Sequence, residues 1–297
     1  MWDTFTKGHG LGNDYLVVEP AGLSFPLTPP AVQLLCDRHR GVGADGVLAL
    51  APSTRADVGL RIFNPDGTEA EKSGNGLRIF ARWLAEEHLV PDDAFTVETP
   101  GGLVGCTLRR EAGHITTITV DMGSATFRSE EIPCAGPPRE VVGEEIAVEG
   151  RRLRITALSV GNPHCVVFVD DPARIDLGRL GPALEHHPLF PRRTNVQLAR
   201  LDARDRVRVR IWERGAGETL ASGSSACAVA AACVRHGYTD ESVTVRMDGG
   251  DLRVEVGAGW KIRMTGPAVL VYRGTLSGSL VAQLRALSLS SSHRNDR

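Results

Sequence analysis

Glu69 to Trp83 reads EAEKSGNGLRIFARW, and Glu218 to Ala232 reads ETLASGSSACAVAAA. The two stretches share a glutamate, a serine and a glycine in the same places, and Ser222 lies 149 residues after Ser73. Gly12-Asn13 followed by Leu16-Val17-Val18 matches Gly161-Asn162 followed by Cys165-Val166-Val167 at the same offset. Arg61-Ile62-Phe63 matches Arg210-Ile211-Trp212 at 149 again, and Thr96-Val97 with Gly101-Gly102 matches Thr244-Val245 with Gly249-Gly250 at 148. Four separate segments that keep nearly one offset, about half of the 297 residues, read as a tandem duplication. The period is too long for a solenoid. It predicts two similar domains facing each other, each bringing one Ser-Gly helix start.

Each half reads as several strands around one long apolar helix. Leu77, Phe80, Ala81 and Leu84 recur at helical spacing after the flexible Gly74-Asn75-Gly76. With Ile79 they leave little of that helix polar, and Ala226 to Val234 is apolar almost all round. A helix without a polar face is buried. The expected fold is α/β (α+β): two pseudo-symmetric domains, each a curled, mostly antiparallel sheet around a central helix, with the active site in the cleft between them. Val32 to Arg38 and Leu177 to His186 read as shorter helices, and the Pro-, Gly- and Glu-rich Phe127 to Gly143 reads as the domain crossover. From Ser277 the chain is Ser-rich and mixed, and its last residues read as disordered.

Composition excludes several classes. A net charge of −2 argues against a general nucleic-acid binder. No apolar run approaches about 18 residues, so no membrane span is expected. MWDTFTKGHGLGND lacks the apolar core of a signal peptide. None of the six cysteines forms a C-x-x-C pair, so no metal site is expected, and reduced thiols in the cytoplasm are the default. Cys227 and Cys233 read as small core residues. HRGVGADG, His39 to Gly46, lacks the phosphate-loop pattern and precedes a strand.

Ser73 and Ser222 each sit just ahead of a first helical turn, where unpaired N–H groups favour negative charge. Two such groups on opposite sides of one molecule suit inversion of a stereocentre, one removing a proton and the other returning one. A substrate carboxylate would lie against the N–H groups after Gly74 and Gly223, which would also stabilise the charge that builds as the proton leaves. No cofactor is expected. Lys72 and Lys7 are the nearest candidates for a pyridoxal-phosphate lysine, and nothing else suggests one.

The chain resembles the diaminopimelate epimerase family. The resemblance runs through HGLGNDY (His9 to Tyr15), RHRGVGADG, FNPDG, SGNG, GNPH (Gly161 to His164), RTNV (Arg193 to Val196), WERGAGET (Trp212 to Thr219) and MTGPA (Met264 to Ala268). It covers nearly everything before Gly274. It implies a cofactor-independent epimerase of lysine and peptidoglycan biosynthesis that interconverts LL- and meso-2,6-diaminopimelate in the cytoplasm as a homodimer. It also implies that the last strands return to the first domain. The expected domains are 1–122 with 267–278, then 123–266, then a flexible tail, 279–297. Carried over by motif, Asn13, Asn64, Gly74, Asn75, Asn162, Asn195, Glu213, Arg214, Gly223 and Ser224 bind substrate, and His164 and Glu213 tune the catalytic pair.

One departure bears on the chemistry. The family has cysteine at both catalytic positions, where this chain has Ser73 and Ser222, and Ser225 replaces a usual glycine. A thiol ionises near pH 8.5 and a hydroxyl nearer the ~16 of water. The gap is on the order of 10 kcal/mol, and a helix terminus returns only ~1–2 kcal/mol. The paired change fits an adapted site, an engineered pair of replacements, or a protein that binds without turnover. A racemase or proton-shift isomerase for another amino acid, with Glu213 or His164 as base, is a further alternative.

Overall fold

The first hairpin shows how closely local sequence dictates backbone. Strands β1 (Thr4–Gly10) and β2 (Asn13–Val18) pair so that Gly10 faces Asn13. The two residues between them, Leu11 and Gly12, both have positive φ, 58° and 92°. Such turns match the right-handed twist of paired strands. The computed structural model describes residues 2–292, a mixed α/β chain that is mostly strand, with five α-helices. It divides into two units, Met1–Ile118 with Pro267–Arg297, and Thr119–Gly266.

In the first unit, α1 (Pro29–Cys36) follows β2. It begins three residues before the expected Val32, because Thr28 caps it and prolines suit a first turn that needs no N–H. β3 (Val47–Ala51) runs parallel to β2, and β4 (Val58–Phe63) antiparallel to β3. Then come the short β5 (Glu69–Ala70), the helix α2 (Gly74–Glu86), and β6 (Ala94–Thr99), which is parallel to β4. β7 (Gly102–Glu111) closes a hairpin with β6.

β8 (His114–Ser124) leads into the second unit, followed by β9 (Glu144–Val148), β10 (Arg151–Ser159) and β11 (Pro163–Phe168). Next come α3 (Leu177–Glu185), β12 (Asn195–Ala203), β13 (Arg206–Glu213) and β14 (Gly217–Thr219). The helix α4 (Gly223–Arg235) precedes β15 (Ser242–Met247), β16 (Gly250–Val256) and β17 (Lys261–Gly266). β18 (Val269–Thr275) pairs with β1 in the first unit, and α5 (Gly278–Ser292) ends it.

The pairing register itself repeats. Leu16 opposite Val47 becomes Cys165 opposite Val196, Val47 opposite Phe63 becomes Val196 opposite Trp212, and Ile62 opposite Ala70 becomes Ile211 opposite Thr219. All these counterparts are 149 residues apart. Val97 opposite Val104 becomes Val245 opposite Leu252 at 148. The first hairpin is the exception. Ser159 pairs with Pro163 across three residues, where Gly10 and Asn13 enclose two. Asn13 therefore lies in a strand and Asn162 in a turn.

α2 packs on β1, β2, β7 and β18, and α4 on strands of its own unit. Leu77, Ile79, Phe80 and Leu84 are wholly buried, as is every residue from Ala226 to Cys233. Burying one large apolar side chain contributes about 1.5–3 kcal/mol, so α2 is held by bulk. The alanines of α4 bury less each and let the sheet approach closely.

Two expectations are corrected. Phe127 to Gly143 is not a crossover, since it lies wholly within the second unit. Ile132, Cys134 and Val141 anchor it in a core with Ile146, Val148 and Leu177, so its turns are pinned by buried side chains. The region from residue 279 is not a free tail through 292: α5 continues there, and Leu276, Val281 and Leu284 are buried in a core with Val32 and Leu35 of α1. Serine-rich composition masked an apolar stripe at helical spacing. The expected tail residues 293–297 lie outside the described residues. Among the described residues no helix is long and apolar enough to cross a membrane.

Candidate active site

In the first unit, Ser73 is the N-cap of α2, in extended conformation at φ −139° and ψ 117°. Its Oγ accepts the Gly76 N–H at 3.1 Å and lies 3.2 Å from the Tyr15 hydroxyl. A Cβ at Gly76 would stand 2.9 Å from Leu48 Cδ2 and 3.2 Å from Ser73 Oγ, so only glycine leaves the serine undisturbed. Asn75 donates to Asn13 Oδ1 at 3.1 Å and accepts from Arg78 at 3.0 Å. Arg78 is fully buried and also donates to the carbonyls of Gly74 and Pro267. Asn13 in turn donates to Asp45 at 2.9 Å.

Asp45 comes from the HRGVGADG loop, whose part is structural. Arg38 bridges Asp45 and Asp14, and Lys7 pairs with Asp14 at 2.5 Å. Burial alone would raise the Asp14 carboxyl, but hydrogen bonds from Arg38 and Lys7 hold it well below the usual carboxylate range. Asn64 bonds within its own turn: Nδ2 donates to Thr68 Oγ1 at 3.0 Å, and its carbonyl accepts from Gly67. No hydrogen bond joins it to Asn13, Ser73 or Asn75 among the described residues.

In the second unit, Ser222 caps α4 with nearly the same angles, φ −142° and ψ 123°. Its side chain makes no cap bond, and its polar neighbour is Ser224 Oγ at 3.5 Å. The same unit holds a polar chain, half-buried at Asn162 and buried at His164, Gln197 and Ser225. Asn162 Oδ1 accepts from His164 Nε2 at 2.9 Å, so His164 Nδ1 is left to accept from Gln197 at 3.0 Å. Gln197 donates its second proton to Ser225 Oγ at 3.0 Å. Burial pushes the His164 imidazole down to about 3, against the Gln197 hydrogen bond and with the help of the Arg214 charge. It is neutral at physiological pH.

Asn195 is tied at both ends, donating to the Pro163 carbonyl at 2.9 Å and accepting the Arg214 N–H at 3.0 Å. It thereby positions the Arg214 turn, whose exposed guanidinium donates to the Arg192 carbonyl. The Glu213 carbonyl accepts from Ala216, as that of Asn64 does from Gly67. All six cysteines are buried, and burial raises the thiols of Cys36 and Cys233 to about 12. They are poor nucleophiles. Among the described residues no group of three or more His, Cys, Asp or Glu is placed to hold a metal ion.

Tyr15, Gln197 and Asp45 lie outside the site residues expected from motifs, and the bond of Ser225 has no motif behind it. The 149-residue offset held the signal for three of these. It aligns Tyr15 with His164 and Leu48 with Gln197 on paired strands, and Gly76 with Ser225 in the first helical turn, each a change of hydrogen-bonding character.

Residues 5–128 and 156–271 match the family model described as diaminopimelate epimerase. The chain is 46% identical over 272 residues to the diaminopimelate epimerase of Pelotomaculum thermopropionicum, covering 91% of this chain and 97% of the relative. It is 46% identical over 280 residues to diaminopimelate epimerase 2 of a Nostoc species, covering 94% and 97%. Among solved structures, a probable proline racemase from Agrobacterium radiobacter superposes with a TM-score of 0.70 at 18% identity over 93% of each chain. At that identity the likeness concerns the fold.

Proposed function

The chain belongs to the diaminopimelate epimerase family, and from that premise we propose that Ser73 and Ser222 are its acid and base. The family's reaction interconverts LL- and meso-2,6-diaminopimelate. One serine takes the α-proton and the other returns a proton to the opposite face. The observation that carries this reading is that both serines are N-caps with backbone angles only a few degrees apart. Each hydroxyl sits where a helix dipole favours negative charge.

The remaining assignments are carried over from the family's motifs, and each has a chemical rationale. No described protein acceptor takes the N–H groups of Gly223, Ser224 and Ser225, so α4 can receive a carboxylate there. Gly74 and Asn75 are assigned the same part at α2 by motif. Arg214 suits bidentate binding of a carboxylate, and Glu213 suits an ammonium group. Asn13, Asn64, Asn162 and Asn195 supply amide contacts, and neutral His164 orients Asn162. No cofactor enters this scheme. The repeated register supports descent by tandem duplication, each copy a curled, mostly antiparallel sheet around its helix. A cytoplasmic homodimer is carried from the family as part of the proposal.

Incubation with LL-diaminopimelate in deuterated water tests the reading. Meso product with deuterium at the α-carbon is expected. The hydroxyls at both positions favour one competing reading, a protein that binds diaminopimelate without turnover. Calorimetric binding with no exchange would establish that reading and remove ours.

A further inference from the structure

We propose that Tyr15 relays protons through Ser73, so that one face of the substrate is served by a phenol–hydroxyl pair. This rests on the assignment of Ser73 above. The Tyr15 hydroxyl lies 3.2 Å from Ser73 Oγ, and the side chain is 8% exposed. Its ring lies directly on the backbone of Gly46. A Cβ there would stand 2.6 Å from Tyr15 Cε1, 3.0 Å from Cδ1 and 2.5 Å from the Phe63 carbonyl. The glycine therefore makes room for the ring, and β2 fixes its root opposite Gly8. Ser73 Oγ already accepts the Gly76 N–H, which leaves its own proton to be shared with the phenol.

The pairing answers the difficulty posed by a hydroxyl. A phenol ionises near pH 10, against about 16 for an alcohol, which is roughly a million-fold in the ionised fraction. With Tyr15 as phenolate, the α-proton passes to Ser73 Oγ while the serine proton passes to Tyr15 Oη. The C–H electron pair stays on the α-carbon. Serine and phenol end neutral, and the negative charge has moved from the phenolate to the substrate. In reverse, Ser73 gives its proton to the carbanion and takes that of Tyr15. The arrangement belongs to one face: His164, the counterpart of Tyr15, bonds Asn162 and Gln197.

The test is steady-state epimerisation of LL-diaminopimelate by the parent, Tyr15→Phe, Ser73→Cys and the double variant. Tyr15→Phe is expected to lower kcat about 100-fold or more, with KM within about threefold. In the Ser73→Cys background the same change is expected to lower kcat less than about fivefold, because a thiol ionises near pH 8.5 without a relay. A Tyr15→Phe effect on kcat below about threefold, or an equal loss in both backgrounds, would overturn the proposal, since misfolding or lost packing would act in both. A parent that does not turn over removes the assignment of Ser73 and the relay with it. An active parent indifferent to Tyr15→Phe removes the relay alone.

Discussion

The starts of α2 and α4 share a backbone and differ in almost every bond around it. Ser73 and Ser222 have matching N-cap angles, and the strands beneath them pair in the same register. Yet Ser73 is held by a cap bond and by Tyr15, whereas Ser222 has no cap bond. Leu48 against Gly76 is apolar and tight in the first unit; Gln197 against Ser225 is a hydrogen bond in the second. Buried Arg78 stands where α4 has Cys227. The duplicated pattern of strands and helix start dictates where the two serines sit. Four side-chain pairs, each one residue per unit, then make them chemically unequal.

Gln197→Leu, which copies Leu48 into the second unit, should produce the largest change in stability. It strands His164 Nδ1 and Ser225 Oγ in a buried site, and each orphaned group costs about 1–3 kcal/mol. A loss of about 2–4 kcal/mol in urea unfolding is expected. Gln197→Leu combined with Ser225→Gly should recover about 1 kcal/mol or more of it, since one orphan is removed. Additive losses would mean that the pair is not coupled.

A second effect separates the two units by pH. His164 titrates near 3 in the fold against about 6.5 when free. Between those values the unfolded chain binds a proton that the fold refuses. Stability is therefore complete above about pH 6.5 and falls as the pH drops toward 3, at about 1.4 kcal/mol per unit from this group. His236, also held below its usual value by burial and by Arg235 and Arg154, contributes with the same sign. Asp14 in the first unit, whose carboxyl is held low, loses its contribution only below the usual carboxylate range. Unfolding free energies between pH 6 and 4.5 should thus show a slope that His164→Gln reduces by about 1.4 kcal/mol per unit. An unchanged slope would place the titration elsewhere.

What was legible in the sequence was what repeats or is local. The helix starts at Ser73 and Ser222, the burial of Ala226 to Cys233 and the core position of Cys227 follow from spacing and residue type over a few positions. The bonds of Tyr15 to Ser73 and of Gln197 to Ser225 join residues 58 and 28 positions apart, and no local pattern announces them. Asp45 belongs to a glycine-rich loop by sequence, and only the fold brings Asn13 and Arg38 to converge on it. Composition misled twice: Ile132 and Val141 anchor a Pro- and Gly-rich segment, and Val281 and Leu284 anchor a Ser-rich one.

The central claim is that the two serines serve opposite faces of one carbon, and hydrogen exchange in single variants tests it most directly. Ser73→Ala and Ser222→Ala should each lose net epimerisation by about a thousand-fold or more. Each should keep α-hydrogen exchange in deuterated water on one configuration alone, one variant with LL-diaminopimelate and the other at the D-centre of the meso isomer. The surviving serine can still remove a proton from its own face and return deuterium to it. Opposite configurational preferences in the two variants, read by proton NMR, are the predicted result. Net inversion at the parent rate in either variant, or exchange of the same configuration by both, would contradict the account.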